Sequence, residues 1–490
     1  MNLKFKIIFV LVLSVCFFTN AQPFRYIVAT DGSGDFTNVQ SAIDACPDNE
    51  RSIVFVKNGT YYGATSIGSK TASSSKIISL IGENQDSVIL TYDKWLGTAN
   101  GGVATFELAT TFQIYAKNFY AENITFQNSS GNKGQALALY TAGDMSIFKN
   151  CKLLGYQDTY RSKKGTRGYF SNCWIEGAVD FIYAGGTIIF DDCTVNCINA
   201  GGYVVAPEDA YATIPKASTQ TGIFIRLGFI FRNCLVKGAN NVPTNSFYLG
   251  RPWGDYAGAI YLNCKLSNQV NSAGWTIMGS STYLTSCFAE YNSTDLNGIP
   301  VDTTKRISWS YQLKQADVDN LLTPSGVYAR NYTSTFDPIS SIFQTNAPAN
   351  ILVSNTTVSW DAVQNSIGYI VYKNGKYLTS LIATNFTDNS GVFGTYTVYS
   401  LNNIGTLSKS SDEVTGVSKT LQNKTLITIE RNQIKFSEHI NIEIYDASGK
   451  KIVALNNCKS IPTDNIPNGT YILRIFDNFG NYFTKKIALN

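Results

Sequence analysis

The chain has 490 residues, enough for more than one domain, and 44% of them are hydrophobic, ample for a buried core. Its net charge of +4, with no run of Lys and Arg interleaved with aromatics, excludes a nucleic-acid partner and is compatible with an acidic substrate. The one histidine, His439, lies near the C-terminus, which excludes a Ser-His-Asp triad, a Cys-His pair and a His-ligated zinc site from everything before it. Chemistry there has to run on carboxylates, amides, Arg, Lys or Tyr.

Lys4 and Lys6 precede an apolar run from Ile7 to Phe18, and a small residue stands at Ala21. Residues 1–21 therefore read as a signal peptide, too short in its apolar part to span a membrane. Its removal takes Cys16 and leaves nine cysteines, so disulfides cannot pair them all. The mature chain opens on Asp31-Gly32-Ser33-Gly34-Asp35-Phe36, then a short capping helix around Val39–Ile43 and an early strand and turn over Ile53–Tyr61.

A repeat follows. Phe126-Gln127-Asn128-Ser129, Phe148-Lys149-Asn150-Cys151, Phe170-Ser171-Asn172-Cys173, Phe190-Asp191-Asp192-Cys193, Phe231-Arg232-Asn233-Cys234, Tyr261-Leu262-Asn263-Cys264 and Leu284-Thr285-Ser286-Cys287 form one series. From Ser129 its steps are 22, 22, 20, 41, 30 and 23 residues, and the 41 reads as two turns with one signature missing. Short β-branched and aromatic strands between Gly/Asn corners at this period predict a right-handed parallel β-helix, with Asn and Cys stacked in ladders. Cys173 and Cys193, one turn apart, are open between a disulfide and stacked free thiols.

Asp158 and Asp180 each lie seven residues after a ladder cysteine, Cys151 and Cys173. The same position on consecutive turns places two carboxylates on strands about 4.8 Å apart. Two acids that close cannot both ionise easily, so one is pushed towards the protonated form while the other serves as an anionic nucleophile. By the same register Gln135 and Gln157 stack beside them, and their amide N–H groups suit an oxyanion. Arg251, in Leu249-Gly250-Arg251-Pro252-Trp253, can fork onto Asp180, and Trp253 can stack on a sugar ring.

The solenoid is expected to finish near Phe343, with Ala347-Pro348-Ala349 as linker. Strand alternation around Val358-Ser359-Trp360, Tyr369–Tyr372 and Gly394–Val398 predicts a small β-sandwich over 348–418, resembling a fibronectin type III module. Residues 424–490 resemble the C-terminal sorting domain of type IX secretion cargo, which implies a secretion-machinery partner and a secreted or cell-surface location. The whole is all-β: a parallel β-helix over 22–343 followed by two small β-sandwich domains.

Asp31–Phe36, Gly134-Gln135-Ala136-Leu137-Ala138-Leu139, Tyr156-Gln157-Asp158-Thr159, Val179-Asp180-Phe181-Ile182 and Leu249–Trp253 resemble, in order, the signatures of the pectin methylesterase family. The resemblance covers roughly residues 25–343. It implies a right-handed parallel β-helix acting on methyl-esterified homogalacturonan as an ester hydrolase, with no metal or organic cofactor; the chain is expected to act as a monomer. It further implies Asp180 as nucleophile, Asp158 as general acid and base, and Gln135 and Gln157 as oxyanion stabilisers. Arg251 would orient Asp180, and Trp253, Tyr183 and Trp275 would bind sugar. Two places depart from the pattern. Tyr183-Ala184 stands where the family usually has Phe-Gly, and Thr159-Tyr160-Arg161 lacks the usual Leu before Tyr, so the cleft wall is expected to differ. Paired aspartates also cleave glycosidic bonds, and Asp191-Asp192 suits calcium, so a polysaccharide lyase or glycoside hydrolase is the first alternative. A non-catalytic adhesin is the second.

Overall fold

A computed structural model describes residues 22–489 except 98–100, 211–216, 219–223, 280–281, 320, 322, 330–331, 355, 391–393, 416–426, 431–432 and 477–481. The expected signal peptide lies outside the described residues.

The N-terminal part is a parallel β-helix of three sheets, with 11, 8 and 7 strands, each turn adding one strand to each. Phe148, Phe170, Phe190, Phe231 and Tyr261 occupy one register column on five successive strands of the largest sheet. Their rings stack inside the coil with centroids 4.5, 4.9, 4.7 and 4.4 Å apart. The residue two positions on turns each corner with a left-handed backbone: Asn123, Asn150, Asn172, Asp192, Asn233, Asn263 and Asn292, all at φ between 50° and 60°. Asn and Asp tolerate that conformation best among residues with a side chain, which is why the corner is theirs. Cys151, Cys173, Cys193, Cys234 and Cys264 follow, all buried free thiols. The Cys151 and Cys173 backbone amides donate to the sulfur of the next cysteine at 3.4 Å.

Three register assignments need correction. Phe126 belongs to the second sheet, opposite Leu153, and the true partner of Phe148 one turn earlier is Ala121. At the other end Tyr261 pairs with Glu290, so Leu284–Cys287 is out of step. The 41-residue step is a single turn, because Thr187–Asp191 pairs directly with Phe229–Arg232. Its surplus falls between strand Tyr203–Pro207 and Phe229.

Strand Arg51–Val56 is buried on both faces. Val54 and Val56 point into the coil, while Ile53 and Phe55 join an outer cluster with Ile81, Tyr120 and Ile147. Short helices Gln315–Val318 and Pro324–Tyr328 cover part of this outer face. The remainder is covered by the next domain, which consists of two antiparallel sheets of three and four strands. Its Ile370, Tyr372, Leu401 and Leu407 enter the same cluster. The Leu407 amide donates to Glu122 Oε2 at 3.1 Å, and the Tyr377 amide to Glu83 Oε1 at 2.9 Å. The middle domain is thus docked on the solenoid. The C-terminal antiparallel sheet has a core of its own around Ile434, Ile442, Ile444, Leu473 and Ile475.

Candidate active site

The smallest of the three sheets carries the site. Gln135, Gln157 and Val179 form consecutive parallel bridges, so the residues that follow, Asp158 and Asp180, lie on adjoining rungs. The Asp158 amide donates to the Val179 carbonyl at 3.1 Å, fixing that register. Both aspartates adopt left-handed backbone, at φ 65° and 47°. That costs a non-glycine residue about 1 kcal/mol or more and turns each side chain out of the strand alternation. The Gln135–Gln157 pairing agrees with expectation although the count leading to it began from the misplaced Ser129. The turn containing Gln135 carries an extra short 3-10 helix, Gly131–Lys133, and absorbs the difference.

Arg251 donates from Nε to Asp180 Oδ1 at 2.9 Å and from Nη2 to Oδ2 at 2.6 Å, a bidentate pair. Its guanidinium lies 3.7 Å from the centre of the Tyr203 ring, which backs it. Burial alone would lower the Arg251 pKa, but the bond and charge of Asp180 raise it instead. Gly250, just before it, must be glycine: a Cβ there would come within 2.3 Å of Val205 Cγ2. On the neighbouring rung Gln135 Nε2 donates to Asp158 Oδ2 at 2.9 Å. Asp158 is buried, and burial together with the charge of Asp180 pushes its pKa up to about 7, against smaller opposing effects from Gln135, Arg161 and Tyr183.

The expected residues thus gather, with one exception. Trp253 is 43% exposed beside Tyr183, their rings 6.0 Å apart and edge-on. Tyr183 itself is 9% exposed and its hydroxyl reaches Asp158. Trp275, expected to bind sugar, is 0% exposed and packs edge-on against Tyr261 and Phe288. A ring with no open face cannot stack a ligand, so Trp275 is a core residue. Tyr160, within the Thr159-Tyr160-Arg161 departure, points inward, against Phe170 and Phe190. Asp191 accepts from Tyr169 Oη at 2.9 Å and pairs with Arg232 at 3.3 Å, and Asp192 fills an asparagine corner. Both aspartates of that pair serve the coil.

Sequence reasoning passed over three neighbours: Arg161, whose guanidinium lies 3.9 Å from the Phe106 ring centre; Tyr203, behind Arg251; and Glu208, half-buried at the end of its strand, whose pKa burial raises. Strand alternation beyond Asp158 would have placed Arg161 outward, on the side opposite to Tyr160.

Residues 25–324 match the profile of the pectinesterase family, and residues 424–490 that of the secretion system C-terminal sorting domain. Pectinesterase 4 of Arabidopsis thaliana is 29% identical over 335 residues, 67% of this chain and 53% of its own length. A pectinesterase of Daucus carota is 32% identical over 288 residues, 58% of this chain and 85% of its own. Apart from the carrot protein, the chain spans about half the length of the curated relatives it resembles. Among solved structures, pectin methylesterase from carrot aligns with a TM-score of 0.54 at 26% identity, covering 62% of this chain and 93% of that one. Pectin methylesterase PemA from Erwinia chrysanthemi gives 0.50 at 27%, covering 65% and 100%. The chain carries a sorting domain that addresses it for secretion, and its β-helix, with two aspartates on adjoining rungs and an arginine fork on one of them, belongs to the pectinesterase family.

Proposed function

We propose that the chain hydrolyses the methyl esters of homogalacturonan, giving pectate and methanol. The observation that carries this reading is the asymmetry of the pair: Asp180 is gripped by Arg251, while Asp158 beside it holds a proton up to about pH 7. Such a pair is suited to divide nucleophile from acid.

The Asp180 carboxylate attacks the ester carbonyl, and the amides of Gln135 and Gln157 take up the charge that develops on the carbonyl oxygen. Asp158 gives its proton to the departing methoxide, so methanol leaves and an acyl anhydride on Asp180 remains. Asp158, now ionised, takes a proton from water, whose oxygen attacks the anhydride. The galacturonate carboxyl is released and Asp180 regenerated. Arg251 holds the attacking carboxylate in one orientation throughout, and the exposed Trp253 ring offers a face for a sugar. Residues of the chain suffice for each proton transfer, and the protein is read as acting alone as a monomer.

The deciding experiment is methanol release from highly methylated pectin by the mature chain, against Asp158→Ala and Asp180→Ala. Release without new polymer ends, abolished by either substitution, supports the proposal. New reducing or unsaturated ends would instead favour a depolymerase, and no turnover by the intact chain would favour an adhesin.

A further inference from the structure

On the esterase reading, on which this inference rests, Asp158 serves twice: as an acid towards methoxide and then as a base towards water. The second role needs its ionised form held in place although burial favours the neutral one. Gln135, Arg161 and Tyr183 oppose that burial. Gln135 Nε2 reaches Oδ2 at 2.9 Å. Tyr183 comes from the next rung, in the strand Val179–Ala184 that also carries Asp180, and brings its hydroxyl to the Asp158 carboxyl from a ring that is 9% exposed. Burial and the charge of Asp158 raise the Tyr183 pKa well above its ordinary value, so the phenol keeps its proton and donates to the ionised carboxyl. The resemblance expects Phe at this position, so the hydroxyl is what this chain adds to the ring.

Arg161 lies against that ring. It pairs in register with Tyr183, and its guanidinium carbon is 5.7 Å from the centre of the Tyr183 ring, with Phe106 and Tyr140 at 3.9 and 5.2 Å. Its Nε is buried with no hydrogen-bond partner. A guanidinium keeps its charge at any working pH, and one enclosed by rings is weakly screened by water, so its field reaches Asp158. Two other charges bear on the same carboxyl: Asp180, which opposes its ionisation, and Arg251, whose fork holds Asp180. Half-buried Glu208 also feels Arg161. We propose that Tyr183 is a positioning residue for the acid and base: its hydroxyl, with Arg161 packed on its ring, holds the Asp158 carboxylate that forms when methanol leaves. That carboxylate takes a proton from water, the water oxygen bonds to the acyl carbon of the anhydride, and the electron pair of the broken C–O bond returns to Asp180. Tyr183 keeps its own proton throughout.

Tyr183→Phe removes one oxygen and leaves the ring between Arg161 and Trp253. A donor to the ionised form holds a pKa down, so its loss is expected to move the alkaline limb of kcat/KM up by about half a pH unit or more, a factor of about three. On highly methylated pectin kcat should fall severalfold at pH 6 with KM changed less than about twofold, and the deficit should shrink at pH 8. Arg161→Met should move the limb the same way, whereas Arg161→Lys, which keeps the charge, should leave it near that of the wild type. An unfolding midpoint close to the wild type in Tyr183→Phe separates these effects from loss of fold. Superimposable limbs in wild type and Tyr183→Phe, or a limb that moves down, would overturn the proposal. The Asp158 carboxyl can also be titrated without substrate, by carbon NMR of the aspartate-labelled mature chain, its signal assigned by loss in Asp158→Asn. Should the wild type release no methanol, the esterase reading fails; a higher Asp158 midpoint in Tyr183→Phe would then still support the hydroxyl's hold on the carboxylate, and equal midpoints would overturn it.

Discussion

Asp158 lies one rung from Asp180, yet the two carboxyl groups have different partners: a single amide donor from Gln135 for the first, a two-pronged guanidinium from Arg251 for the second. On the proposed reading this inequality casts Asp158 as the proton carrier, and its raised pKa would set the pH behaviour. The acid that donates to methoxide must be protonated, so kcat/KM is expected to fall on the alkaline side with an apparent pKa near 7, belonging to the coupled pair. A profile flat from pH 5 to 9 would contradict the assignment.

The same shift has a thermodynamic consequence. The folded chain keeps the Asp158 proton to higher pH than the unfolded chain does, so between about pH 4 and 7 the native state binds more protons and stability falls as pH rises. Asp158→Asn removes this loss. Its unfolding midpoint should match or trail the wild type at pH 4.5 and exceed it at pH 8, with about 2–4 °C gained per kcal/mol recovered, while turnover is abolished. Thermal unfolding at both pH values reads the crossover.

For Arg251 the expectation follows from its fork. Arg251→Lys retains a charge but cannot donate to both oxygens of Asp180. We expect kcat to fall about 10–100-fold with a smaller change in KM, since the loss is of aim and not of substrate contact. Steady-state kinetics on one methylated polymer suffices. An unchanged kcat would remove Arg251 from the mechanism.

The two tryptophans should separate cleanly. Trp253→Ala is expected to raise KM severalfold and leave the unfolding midpoint nearly unmoved, because the ring is 43% exposed. Trp275→Ala empties a fully buried position between Tyr261 and Phe288 and should cost about 3–5 kcal/mol of stability. Denaturant unfolding beside KM measurements distinguishes them.

These contrasts show how far residues alone could be read. The five central signatures, Phe148–Cys151 through Tyr261–Cys264, are legible because stacked rings, a left-handed Asn corner and a packed thiol impose one local solution on every turn. The ends are not, since turn length is free wherever a loop leaves the coil. The short helix Gly131–Lys133 and the excursion after Pro207 add residues without adding a rung, and counting cannot tell an excursion from a turn. Trp275 was misread for a related reason: whether a corner ring points in or out depends on register with Tyr261, which its own sequence does not carry. Arg161, by contrast, was within reach, because alternation with the inward Tyr160 leaves it only the outer face.

A cover on the outer face was within reach of Ser52-Ile53-Val54-Phe55-Val56, whose lack of polar alternation means that both faces are covered, but that pattern does not say which part of the chain covers it. Phe55 and Ile81 on the outer face meet Ile370, Tyr372 and Leu407 of the middle domain, and the Phe55 and Tyr377 rings lie 4.7 Å apart. Each large apolar side chain returned to water forfeits about 1.5–3 kcal/mol. Glu122 would also lose the Leu407 amide while staying beside Lys149. A fragment ending at residue 343 is therefore expected to unfold well below the mature chain or to aggregate. A fragment ending at 415 should keep the midpoint of the mature chain, because the C-terminal sheet closes a core of its own. Calorimetry of the two fragments, with methanol release as the activity check, sets the docked reading against a loosely tethered one, in which the shorter fragment would be as stable as the longer.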